Sequence, residues 1–67
     1  MKTRIKELRK ANKVSQDELA EQVGVTRQTI ISLEKEKYTA SLVLAYKIAH
    51  YFHLTIEDVF DFSEVEE

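Results

Sequence analysis

An all-α fold of five short helices is predicted here, and three observations predict it. The 67 residues include one glycine and no proline, so little interrupts a helix. Apolar residues recur at three- and four-residue spacing along most of the chain, the period of an amphipathic helix. Ser15, Thr26, Ser41 and Thr55 each stand just ahead of such a segment. There a side-chain oxygen accepts one of the backbone N–H groups that the first helical turn leaves unpaired. The chain is expected to form one domain over residues 1–67. A domain of this size buries only about 60% of its unfolded surface, so assembly is expected to help stabilise it.

The first helix is predicted over residues 2–11. Ile5 and Leu8 give it a narrow apolar stripe among charges, so it needs a partner to hold it. Val14 leads into Ser15, and Ser15 with Glu18 fits the S-x-x-E capping box that opens a second helix over Gln16–Val23. Leu19, Ala20 and Val23 share its inner face. Gly24 follows where a left-handed residue ends a helix at least cost. Thr26 then caps a third helix over residues 27–35, with Ile30 and Leu33 inward. Two helices with so short a joint cross steeply, which describes a helix-turn-helix over residues 16–35. The stretch 35–40 has neither Gly nor Pro, so the sequence leaves the end of the third helix open.

Ser41 caps the fourth helix, expected over residues 42–52. Leu44, Ala45, Ile48, Ala49 and Phe52 make it the most hydrophobic element and the centre of the core. Thr55 with Asp58 resembles a weaker capping box and opens a fifth helix at 56–60. The tail that follows alternates polar and apolar residues, which fits a short strand pairing with residues 1–3 or an unpaired end.

Composition narrows the function. Hydrophobic residues at 43% and charged residues at 33% fit a globular domain rather than a disordered one. With no cysteine, disulfides and cysteine-rich metal frameworks are excluded. Apolar runs are too short to span a bilayer, no apolar leader follows the first residues, and a cytoplasmic protein is the expectation. The net charge of −2 is unevenly spread: all ten Lys and Arg precede residue 48. From Glu57 onward there are six acids and no base, so residues 1–56 carry a net +4. A positive face and a negative tail can coexist in one small domain.

The segments SQDELAEQVGVTRQTIISLEKEKY, ASLVLAYKIAHYF and TIEDVF together resemble the Xre/Cro/C1-type helix-turn-helix regulators of bacteria and phages. The resemblance runs from about Ile5 to Phe60, and its closest likeness is to small stand-alone members without a sensor domain. It implies a five-helix lambda-repressor-like domain whose third helix enters the DNA major groove, usually as a dimer. Two departures stand out. Family members often carry Asn-Gly-Lys after the recognition helix, where this chain has Lys35-Glu36-Lys37. They often carry Pro ahead of the fourth helix, where this chain has Ala40.

The resemblance puts Arg27, Gln28 and Ser32 at base-facing positions, with Thr29 at a phosphate or a thymine methyl. Arginine pairs bidentately with guanine and glutamine with adenine. Gln16, at the positive end of the second helix, is a phosphate candidate. Lys35, Lys37 and Lys13 are further candidates, which as point charges add affinity without reading sequence. The family pattern also pairs Arg9 with Glu34, a structural ion pair tying the first helix to the recognition helix. Ile56, Val59, Phe60, Phe62 and Val65 are the expected dimer surface, within a dimerisation segment over residues 56–67.

The expected function is therefore a sequence-specific double-stranded DNA-binding transcriptional regulator: a repressor that binds a palindromic operator as a homodimer in the nucleoid. An antitoxin or other interaction module, holding an unidentified protein partner through its acidic tail, is the rival expectation. Metal binding and catalysis are not expected. His50 and His53 are three apart and the tail is rich in carboxylates, but a metal site needs three or four converging ligands, so surface or interface histidines are expected; no nucleophile–base order or glycine-rich phosphate loop occurs. No cofactor is implied.

Overall fold

The computed structural model describes residues 1–65. Its elements are β1 (Lys2–Thr3), α1 (Ile5–Ala11), α2 (Gln16–Val23), α3 (Arg27–Glu34), α4 (Leu42–Tyr51), α5 (Ile56–Val59) and β2 (Phe60–Asp61). The five helices enclose one core, and the two strands clasp the chain ends in an antiparallel pair with Lys2 opposite Asp61 and Thr3 opposite Phe60. This shifts two boundaries. The first helix begins at Ile5 because Lys2 and Thr3 are in a strand, and the fifth ends at Val59 because Phe60 has turned extended. The expected pairing of the two chain ends forms, with the tail strand at Phe60–Asp61, overlapping the alternating stretch only at its first residue, Asp61. Thr3 Oγ1 accepts the Ile5 N–H at 3.4 Å. The Arg4 N–H donates to the Val59 carbonyl at 2.7 Å, joining the start of α1 to the end of α5.

Ser15, Thr26, Ser41 and Thr55 all cap, each hydroxyl accepting the N–H three residues on. The reciprocal capping box forms at Thr55, where Asp58 also accepts the Thr55 N–H at 3.0 Å. At Ser15 only the hydroxyl half of the expected box is made, at 3.0 Å to the Glu18 N–H.

The helix ends share one device. After α1, α2, α3 and α4 a single residue turns left-handed, at φ 57 for Lys13, 74 for Gly24, 62 for Glu36 and 59 for His53. In each case the next N–H folds back to a carbonyl five residues earlier: Val14 to Arg9, Val25 to Ala20, Lys37 to Ser32 and Leu54 to Ala49. This is the Schellman stop, which favours glycine because a Cβ crowds the left-handed backbone. Only one of the four positions holds glycine. The third helix thus ends without the breaker that the sequence lacks.

Ile5, Leu19, Ile30, Leu33, Ile48 and Val59 are fully buried, one or more from every helix. Ala20, Val23, Leu44, Ala45, Ala49 and Phe60 complete the core, and Leu8, Val14, Val25, Phe52 and Ile56 pack on its edge. Ala20, 4% exposed, is among the buried residues of α2. Two residues of the expected dimer surface are corrected here. Val59 and Phe60 are 0% and 2% exposed, so they stabilise the monomer and offer nothing to a second chain. The strand pairing turns Phe60 inward, which alternation in the tail sequence could not decide. Phe62 and Val65 remain exposed, and Ile56 is half-buried.

Candidate nucleic-acid interface

Thr26 starts α3 with its hydroxyl on the Thr29 N–H at 3.3 Å, and the two threonine hydroxyls lie 3.1 Å apart. That contact fixes the first turn and commits the Thr29 side chain to the cap. Arg27 and Gln28, next along the turn, are exposed. Thr26, Gln28, Thr29 and Ser32 line an open concavity of about 240 Å³, whose far wall is Lys37 and Tyr38 from the loop after α3. The first turn of α3 contains no acid, whereas α1, α2 and α5 each carry one or two there. The positive end of the α3 dipole is therefore left unneutralised beside Arg27, a setting that favours an anion.

A second cluster anchors this helix from behind. Arg9, buried in α1, meets Glu34 at the end of α3 through Nε–Oε2 at 2.5 Å and Nη2–Oε1 at 3.0 Å, with side chains 10% and 5% exposed. Arg9 Nη1 also donates to the Val14 carbonyl at 3.0 Å. Gln16 Nε2 donates to Glu34 Oε1 at 3.0 Å, and Gln16 Oε1 faces Arg27 Nε at 3.5 Å. Arg27 lies 3.8 Å from Asp17, an exposed and weak pair. Burial pushes the Glu34 carboxyl up, but hydrogen bonds from Arg9 and Gln16 and the charges of Arg9 and Lys6 outweigh it. The net direction is below the usual glutamate range. The hydrogen bond to Glu34 raises Arg9 against its own burial.

The other sequence candidates fall in different places. The Gln16 side chain is held by Glu34, so its free donor at the α2 N-terminus is the backbone N–H. Lys35 is the exposed C-cap of α3. Lys13 lies with Asn12, Glu18 and residues 51–53 at the end of α4, apart from the concavity. Two residues take roles the sequence did not suggest. Tyr38 stands in the wall of the concavity, and Glu36 turns its carboxylate onto the Thr3 N–H at 3.3 Å. Glu36 stands at φ 62, a left-handed turn of the kind glycine adopts most easily, at the middle position of the Lys35-Glu36-Lys37 stretch. Its acid is directed at β1. Alternating hydropathy could not have marked either residue, because both roles depend on the loop folding back over α3.

Comparison with known proteins decides the family. The helix-turn-helix family HTH_3 matches residues 5–59. This chain belongs to that family. An HTH-type transcriptional regulator of Archaeoglobus fulgidus is 58% identical over 66 residues, covering 98% of this chain and 93% of the relative. The Bacillus subtilis HTH-type transcriptional regulator YgzD is 50% identical over 64 residues, covering 96% and 97%. Among solved structures, the restriction–modification controller protein C.AhdI from Aeromonas hydrophila superposes with a TM-score of 0.78. It is 32% identical and covers 85% of this chain and 86% of its own. The family is one of Xre/Cro/C1-type transcriptional regulators, not of enzymes.

Proposed function

We propose that this helix-turn-helix protein is a sequence-specific double-stranded DNA-binding regulator, a repressor acting on a palindromic operator as a homodimer. The observation that carries this reading is the polar concavity joining the first turns of α3 to Lys37 and Tyr38, with no acid at the α3 N-terminus. In the major groove, Arg27, Gln28 and Ser32 would meet base edges, and Thr29 a thymine methyl. Gln16 through its backbone N–H, with Lys35 and Lys37, would hold phosphates on either side, and Lys13 would add a more distant positive charge. The Arg9–Glu34–Gln16 cluster keeps α1, α2 and α3 in one rigid body, so the docked geometry is set before binding. The likeness to a restriction–modification controller supports a regulatory role. DNA as partner implies a cytoplasmic, nucleoid-bound protein.

A two-fold dimer would read half-sites about one helical turn, ~34 Å, apart. Selection of bound sequences from a random duplex pool tests the reading. The expected product is a palindromic consensus. An asymmetric consensus would overturn the dimeric reading, and no enrichment would overturn sequence-specific binding.

A further inference from the structure

Helix α4 is apolar on two opposite faces. Its core face is Leu44, Ala45, Ile48 and Ala49, all buried. Yet Leu42, Val43 and Tyr46 are 76%, 64% and 58% exposed, the three highest values among the large exposed hydrophobics. At 3.6 residues per turn, Leu42, Tyr46, His50, Val43 and Lys47 fall on one continuous arc of about 140°, opposite the core arc. Tyr46 and His50 stack with ring centroids 5.5 Å apart and planes 16° from parallel, so the middle of this arc is a flat platform already ordered. A contiguous apolar arc on the outside of a helix marks an interaction surface.

We infer that the outward face of α4 is the homodimer surface, and that its occupant is the Phe62-bearing acidic end of a second copy of this chain. The inference rests on the homodimer reading above and gives that dimer a location. Charge complementarity identifies the occupant. Helix α4 carries no acid, and Lys47 closes one edge of its arc. The segment from Glu57 to Glu64 carries four acids and no base, with Phe62 exposed at 42% among them. In a two-fold dimer each copy presents both surfaces, so the contact of α4 with the partner's tail occurs twice and the interface closes. The apolar arc supplies the dry centre and the opposite charges the rim, the usual anatomy of such contacts.

Sedimentation equilibrium of the full chain at micromolar concentration, on wild type and Val43→Glu, tests the inference. Val43 is exposed in the first turn of α4, where a carboxylate favours the helix dipole, so the variant folds as well as the parent. Circular dichroism checks this, and Tyr46→Ser is a second variant outside the helix start. The expected result is a dimeric wild type whose dissociation constant rises at least roughly tenfold in Val43→Glu and in Phe62→Glu. Lys47→Glu should weaken it as well. A wild-type dimer unchanged by Val43→Glu and Tyr46→Ser would overturn this surface while leaving the homodimer reading standing. Loss on the α4 variants with none on Phe62→Glu and Lys47→Glu would overturn the tail as occupant. A monomeric wild type would overturn both the surface and the homodimer.

Discussion

Replacing Arg9 by methionine removes a guanidinium that fills a buried site between α1 and α3 and leaves the Glu34 carboxylate behind. Glu34 is 5% exposed at its side chain and would keep one donor, Gln16 Nε2 at 3.0 Å. Stranding a buried charge in this way costs about 3–5 kcal/mol. A 67-residue domain has roughly 3–10 kcal/mol in total, so Arg9→Met should be marginal or unfolded at room temperature. Urea unfolding followed by circular dichroism, with wild type and variant at the same protein concentration, measures this. The pH dependence gives the sign of the effect. In wild type the Glu34 pKa is depressed, so the unfolded chain binds the proton more readily. Its contribution is present above the unfolded value of about 4.3 and is lost as pH falls through the folded value. Without Arg9, burial dominates and the folded pKa rises above the unfolded one. The variant's deficit should therefore narrow as pH falls from neutral, opposite to the wild-type trend. Arg9→Met with Glu34→Met together should recover most of the loss, since an apolar pair of similar size is often as stable. A cost below about 1 kcal/mol for Arg9→Met, with no pH dependence, would refute the reasoning and reduce the pair to a solvated surface bridge.

Gln28→Ala should cost about 1–3 kcal/mol on the cognate site and relax the preference at one base pair, read by binding to a panel of singly substituted duplexes. Equal weakening on every duplex would contradict base reading by Gln28. Lys37→Ala should lower affinity uniformly and flatten the salt dependence by about one unit, seen in titrations across ionic strength. An unchanged slope would remove Lys37 from the phosphate contacts. His53→Gly should raise stability by about 0.5–1 kcal/mol, because His53 stands at φ 59 and its backbone N–H bond to His50 survives the change. An unchanged or lowered thermal midpoint would show that the imidazole contributes more than the strain costs.

The contrast among the helix ends explains what the sequence made legible. Helix starts were legible, because Ser15, Thr26, Ser41 and Thr55 act on an N–H three residues away, and such local chemistry is written in local sequence. Helix ends were less so. Gly24 announced one stop, while Lys13, Glu36 and His53 adopt the same left-handed turn without the residue type that signals it. Tertiary packing compels them, since Val14 sits against the core after its turn and Glu36 is tied to Thr3.

The sequence by itself determined the five helices, their inner faces, the short α2–α3 joint and the polar leading turn of α3. All of these follow from periodicity and capping over a few residues. Only the tertiary structure decided which residues meet across long separations. It paired Lys2 and Thr3 with Asp61 and Phe60, turning Val59 and Phe60 into the core and away from any dimer contact. It brought Tyr38 into the wall of the α3 concavity. It left Leu42, Val43 and Tyr46 uncovered on a helix whose composition had marked it as core. The physical reason is the same throughout. Burying apolar residues lowers the free energy, but which of them are buried, and against what, is set by the packing of the whole chain.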